Sequence, residues 1–269
     1  MLRWFSLPLM LGVLHCSIPV AFGCDDGVAT VAGKPDFPPL SWQKDKKLQG
    51  IAYSVIEQVL SELNIKVEVK PAVPWKRVLQ ESRIGDVDFV VAVRETQERK
   101  EYLEFVPTPM MESAQNVFYR SNESFETLND LKGKIGGVTL GLRFNDEFTK
   151  FANENLDLKK VPKLKQNILK LRSNRIDYFI SPLLPTLHFI HQNNIKADIN
   201  FMLNPLFVIE EKVAVSKKSS CIKYIAEIDK RLRLLTESGK IDSLLEANLQ
   251  QWDVMSSVME KVNSSPDNI

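Results

Sequence analysis

The chain has 269 residues, 26% charged and 44% hydrophobic, with 35 Lys and Arg against 34 Asp and Glu. That length exceeds the usual single domain and suits two lobes, and the composition is that of a globular protein with ample apolar residues for a core. The near-balance of charge argues against a nucleic-acid binder, which would carry a basic stripe, and against electrostatic attachment to anionic lipid.

Met1-Leu2-Arg3 supplies a short positive start, and Trp4 to Leu14 is a largely apolar run too short to cross a bilayer. Small residues at Ala21 and Gly23 mark a cleavage site after Gly23. Residues 1–23 therefore read as a signal peptide and place the mature protein in the periplasm. Removing them takes one base and no acid, leaving 34 of each. Cys16 leaves with this segment; Cys24 and Cys221 remain. An oxidising compartment permits a disulfide between them. Free thiols, or lipidation of Cys24, stay open as alternatives, although Ala21-Phe22-Gly23 is a poor match to the Leu-Ala-Gly type of lipobox.

Val28 to Ala32 reads as a first strand, followed by a rigid loop because Pro35, Pro38 and Pro39 forbid a central strand. Apolar residues from Ile51 to Leu63 recur at helical spacing. Lys66 to Val69 alternates as a strand. Pro74 suits the first turn of a helix over Trp75 to Ile84, and Val87 to Val93 is an apolar strand of the kind buried on both faces of a parallel sheet. The same grammar returns: a strand over Ile135 to Leu140, a helix over Asp146 to Asn155, a strand over Lys159 to Val161, a helix over Gln166 to Asn174 and a strand over Ile176 to Ser181. Two βαβαβ units are thus predicted, around 25–115 and 122–205. Gln115 to Arg120 and Leu206 to Ser216 read as extended crossings between them, a two-strand hinge. Two further helices over Ile222 to Trp252 are separated by Ser238-Gly239, and a polar tail ends the chain.

Six motifs in this order resemble the family 3 extracellular solute-binding proteins that serve polar amino-acid ABC transporters. They are Asp36-Phe37-Pro38-Pro39-Leu40, Leu48-Gln49-Gly50-Ile51-Ala52, Gly85-Asp86-Val87-Asp88, Thr96-Gln97-Glu98-Arg99 with Phe105, Leu128-Asn129-Asp130-Leu131-Lys132-Gly133-Lys134, and Asn174-Arg175-Ile176-Asp177. The resemblance implies an α/β, two-lobed periplasmic binding protein-like fold of type II, each lobe a mainly parallel sheet flanked by helices. It divides the chain into 24–116 with 209–252, 117–208, and a tail of 253–269. It implies a small polar, carboxylate-bearing ligand caught by hinge closure, an ABC permease as partner, and a monomer without cofactor, metal, nucleic acid or catalysis.

Phe37's position in the family covers the ligand, and Arg99's forks onto its carboxylate, where a planar guanidinium matches two oxygens. The turn Gly141 to Phe144 closes from the other lobe. Arg94, at the end of a buried strand, joins Arg99 where open α/β sheets bind ligands. Arg143 and Phe144 precede a helix N-terminus, an anion-favouring position. Trp75, Arg77, Trp42 and Ser181 complete the candidate set. The acid that usually receives a ligand's α-amine falls at Ser181-Pro182 and is missing, which points to a more anionic or differently shaped ligand than an ordinary amino acid. His188 and His191 have no nearby acids or cysteines and make a weak metal site. Two other readings share the scaffold. One is a sensor domain not coupled to transport. The other is a dehydratase-like enzyme with Glu57, Glu95 or Glu112 as its acid or base.

Overall fold

The computed structural model describes residues 23–44, 47–71, 73–195 and 198–250. The expected signal peptide, apart from Gly23, and the tail at 253–269 lie outside the described residues. No helix among the described residues is long and apolar enough to cross a membrane.

The first unit runs β1 (Val28–Gly33), α1 (Ile51–Ser61), β5 (Lys66–Val69), α2 (Trp75–Ile84) and β6 (Phe89–Val93), with β2 (Asp36–Phe37), β3 (Ser41–Lys44) and β4 (Lys47–Gln49) inserted after β1. β1 lies between β5 and β6, parallel to both. The second unit repeats this arrangement with β9 (Ile135–Thr139), α4 (Asp146–Asn155), β10 (Asp157–Val161), α5 (Leu164–Arg172) and β11 (Tyr178–Pro182), and β9 lies between β10 and β11. Both sheets are covered on two faces. In the first lobe, α1 residues such as Ile56 and Leu60 pack against Val31 and Phe89 on one side, while Ala32, Val78 and Val90 pack on the other. This double burial explains why all five residues of β6 are buried and why its sequence is continuously apolar.

Two long antiparallel strands join the lobes. β8 (Met111–Arg120) pairs with β11 through its second half, and β13 (Phe207–Ser216) pairs with β6 through its second half. Their first halves pair with each other, Met111 to Gln115 against Phe207 to Glu211. Short strands β7 (Leu103–Phe105) and β12 (Ile199–Phe201) add to β13 and β8. α3 (Gln97–Lys100) follows β6, and α6 (Leu183–Gln192) follows β11. α7 (Ile225–Glu237) and α8 (Lys240–Gln250) complete the described chain. α8 packs on both lobes: Ile241 joins the α1 core, while Leu249 joins the cluster of Phe118 and Leu187.

One device recurs in the two lobes. Gly85 and Asn174 both take positive φ after their helices, and Val87 and Ile176 are buried two residues on. Asp88 Oδ2 accepts from the Thr30 amide at 2.8 Å while its own amide donates to the Thr30 carbonyl at 3.1 Å. Asp177 makes the same exchange with Ile135, at 2.8 Å in both directions. Each motif thus ties the start of a helix-following strand to the strand beside it.

The proline-rich segment departs from a plain loop. Asp36–Phe37 pairs with β3 in a small antiparallel sheet, and the Pro38–Pro39 bond is cis. Pro35 precedes the short strand and Pro38 and Pro39 follow it, so none interrupts its pairing. Cys24 and Cys221 are bonded, their Cα atoms 4.9 Å apart, which fastens the 3-10 turn Gly23–Asp26 to that at Ser220–Tyr224.

Candidate functional site

A cavity of about 380 Å³ lies where the ends of β1 and β6 and the first half of β13 meet the turn after β9. Its first-lobe wall carries Lys34, Phe37, Trp75, Arg94, Thr96 and Arg99; its second-lobe wall carries Leu140 to Arg143 and Pro182. The joining strands contribute Gln115, Ile209 and Glu211.

Each wall follows from local structure. Gly50 has φ of 115°, and any Cβ there would run into the Leu40 carbonyl. With that space open, the amides of Ile51 and Ala52 donate to the carbonyls of Pro39 and Leu40 at 3.1 and 3.0 Å. The first turn of α1 thereby holds the segment that carries Phe37. Thr96 caps α3, its Oγ1 accepting from the Arg99 amide at 3.3 Å. Arg99 Nη1 then donates to the Arg94 carbonyl at 2.6 Å, and its guanidinium lies 5.7 Å from the Trp75 ring centre. Arg94 Nη1 reaches across the mouth to the Arg143 carbonyl at 2.8 Å. Lys34 Nζ lies 4.1 Å from the Phe37 ring centre and donates to both oxygens of Glu211 at 3.3 Å.

The lining residues thus include four cations (Lys34, Arg94, Arg99 and Arg143) and one acid, Glu211. Burial lowers the pKa of Arg94 and Arg99, with Glu211 opposing and neighbouring guanidiniums adding to it. A guanidinium stays protonated regardless. Burial also pushes the Lys34 ammonium down and the Glu211 carboxyl up, and the attraction between them works against both shifts. Gln115 is 1% exposed; its amide nitrogen donates to Ser113, and its Oε1 has no hydrogen-bond partner. A buried acceptor of this kind calls for a donor.

Of the residues singled out in the sequence, Phe37, Trp75, Arg94, Arg99 and Arg143 line the cavity; Trp42, Arg77, Phe144 and Ser181 do not. Trp42 neighbours Ser41 on β3, and strand alternation turns adjacent side chains to opposite faces. Ser41 Oγ donates to the Lys34 carbonyl at 2.8 Å, so Trp42 takes the other face. Arg77 is an exposed partner of Glu81 at 2.8 Å. Phe144 packs edge-on to Phe148 and Phe207 in the second-lobe core, at 4.8 and 5.7 Å. Ser181 is buried and accepts from Thr186 Oγ1 at 2.7 Å, leaving Pro182 at the cavity. Glu57, Glu95 and Glu112 are not among the lining residues. Glu95 is paired with Lys100 and Lys212.

Lys34, Gln115 and Glu211 were not anticipated. Lys34 follows the end of β1 as Arg94 follows that of β6, so the rule that found one reaches the other. Glu211 shares the buried phase of β13 with Phe207 and Ile209, and a carboxylate on an apolar phase is a legible signal. The missing acid at Ser181-Pro182 is therefore not the whole story: an acid enters from a joining strand instead.

Two parallel-sheet lobes, joined by two strands and lining a cavity with charged side chains, define a periplasmic binding protein fold of type II. The model of the bacterial extracellular solute-binding proteins, family 3, matches residues 29–251, and the chain belongs to that family. A Campylobacter jejuni protein named "Probable histidine-binding protein" is 26% identical over 164 residues, 61% of this chain and 63% of that protein. A Streptococcus pneumoniae amino acid ABC transporter substrate-binding protein, AbpA, bound to L-arginine, is 25% identical with a TM-score of 0.62, covering 84% of this chain and 96% of its own. A histidine kinase sensor domain shares the fold at 18% identity and a TM-score of 0.63, covering 84% and 95%.

Proposed function

We propose that the protein captures a small carboxylate-bearing anion between its lobes and delivers it to an ABC permease of the inner membrane. The observation that carries this reading is the excess of three positive charges among the cavity's lining residues. Guanidiniums at a partly buried site favour planar, bidentate acceptors, and carboxylate is the matching shape. Binding without chemistry fits the solute-binding family, and transport fits relatives named as amino-acid-binding proteins. Export through residues 1–23 to the periplasm belongs to the same proposal. The likeness to a sensor domain speaks to the fold alone.

Isothermal titration with amino acids and small carboxylates tests the reading. The expected result is binding of a carboxylate-bearing solute, weakened in Arg99→Ala by about 1.5–3 kcal/mol, roughly ten- to hundredfold, the worth of a hydrogen bond to a charged group. Unchanged affinity in that variant removes Arg99 from the site. Binding only of solutes that lack a carboxylate sinks the reading.

A further inference from the structure

The cavity contains a cation-binding arrangement that the chain itself fills. Lys34 Nζ lies 4.1 Å from the centre of Phe37 and 5.8 Å from that of Trp75, and it holds both oxygens of Glu211 at 3.3 Å. Aromatic faces beside a buried carboxylate are what an ammonium needs: attraction to the ring quadrupole and a charge-assisted hydrogen bond. Lys34 is fixed there by its own backbone, whose carbonyl accepts from Ser41 Oγ. Glu211 is 3% exposed and is the only acid among the cavity's lining residues. With Lys34 seated on it, no second lining carboxylate remains for a ligand's cation, and Arg94, Arg99 and Arg143 repel one.

We propose that Lys34 determines the specificity of the cavity: its ammonium, paired with Glu211 beside Phe37 and Trp75, takes the place of a ligand's cation and restricts the site to small carboxylates without an ammonium group. The inference rests on the anion-binding reading above and deepens it. Gln115, the other polar side chain that the joining strands bring to the lining, is neutral and offers an ammonium no opposite charge. Hydroxy acids and plain carboxylic acids are the class that fits.

Matched pairs that differ only in hydroxyl against ammonium test this by titration calorimetry: lactate and alanine, malate and aspartate, 2-hydroxyglutarate and glutamate. Wild-type protein is expected to favour the hydroxy member of the pair it binds by roughly tenfold or more. Lys34→Met frees Glu211 and is expected to narrow or reverse that preference by a similar factor. The double variant Lys34→Met/Glu211→Gln is expected to restore it, because no acid is left to receive an ammonium. Lys34→Gln, which keeps a donor against Glu211 without the charge, serves where Lys34→Met does not fold. Equal or better binding of the amino member by wild-type protein overturns the inference and leaves the anion reading standing. So does an unchanged preference in the Lys34 variants. No binding of any of these carboxylate-bearing solutes by wild-type protein overturns both.

Discussion

At the scale of single residues, Asp88 and Asp177 occupy equivalent places in two lobes and differ in what surrounds them. Asp88 is 5% exposed and accepts three hydrogen bonds: from the Thr30 amide at 2.8 Å, Thr30 Oγ1 at 2.7 Å and Ser219 Oγ at 2.5 Å. The Asp177 side chain is 33% exposed, accepts from one amide at 2.8 Å, and meets Arg120 at 3.5 Å. Removing an acceptor leaves its donors unsatisfied, and that costs most where water cannot replace it. Asp88→Ala is therefore expected to lower stability by about 2–4 kcal/mol, and Asp177→Ala by about 1 kcal/mol. Urea unfolding measures both. Equal losses would show that exposure does not set the difference. Neither residue lines the cavity, so ligand affinity in the folded variants should hold.

Among the elements, the segment from Asp36 to Ala52 shows how a backbone detail places a cavity-lining ring. Gly50 carries positive φ and abuts the Leu40 carbonyl, whereas Gly133, at φ of 73°, has open space around its Cβ direction. Left-handed backbone costs an L-residue about 1–2 kcal/mol by itself. Gly133→Ala should lose about that much; Gly50→Ala should lose more, because the collision must also push away the segment bearing Phe37. Thermal unfolding compares the two, and ligand titration should show weakened binding in Gly50→Ala alone. Much of this architecture was readable in advance: helical spacing marks α1 because it buries one face, alternation marks β5, and Pro74 marks the start of α2. One local feature was not. β6 turns aside at Ala92, which has φ of 50°, and the pairing of β6 with β13 shifts register there. No glycine or proline marks that irregularity, since it answers to the partner strand rather than to local preference. For the same reason Arg77 and Phe144 read as ligand residues: sequence distance placed them near the cavity, but helix phase and core packing turned them elsewhere.

For the molecule as a whole, the question is what sets the balance between open and closed lobes. The lobes, which we take as 24–116 with 209–252 and as 117–208, are joined by β8 and β13, and by α8 on both cores. Across the mouth, Arg94 Nη1 holds the Arg143 carbonyl at 2.8 Å. A ligand shifts such an equilibrium only through contacts it gains in the closed form. A charge-assisted hydrogen bond of about 1.5–3 kcal/mol biases it by roughly ten- to hundredfold on its own. Arg94→Ala removes that bond while leaving β6, β8 and β13 intact. Solution X-ray scattering is therefore expected to give a larger radius of gyration for this variant than for the native chain, and saturating anion should contract both. Arg94 also lines the cavity, so on the proposed reading affinity falls as well; the separation of the two effects lies in the scattering of protein without added ligand. A curve identical to that of the native chain would mean that the hinge strands and α8, not the Arg94 bridge, hold the lobes together.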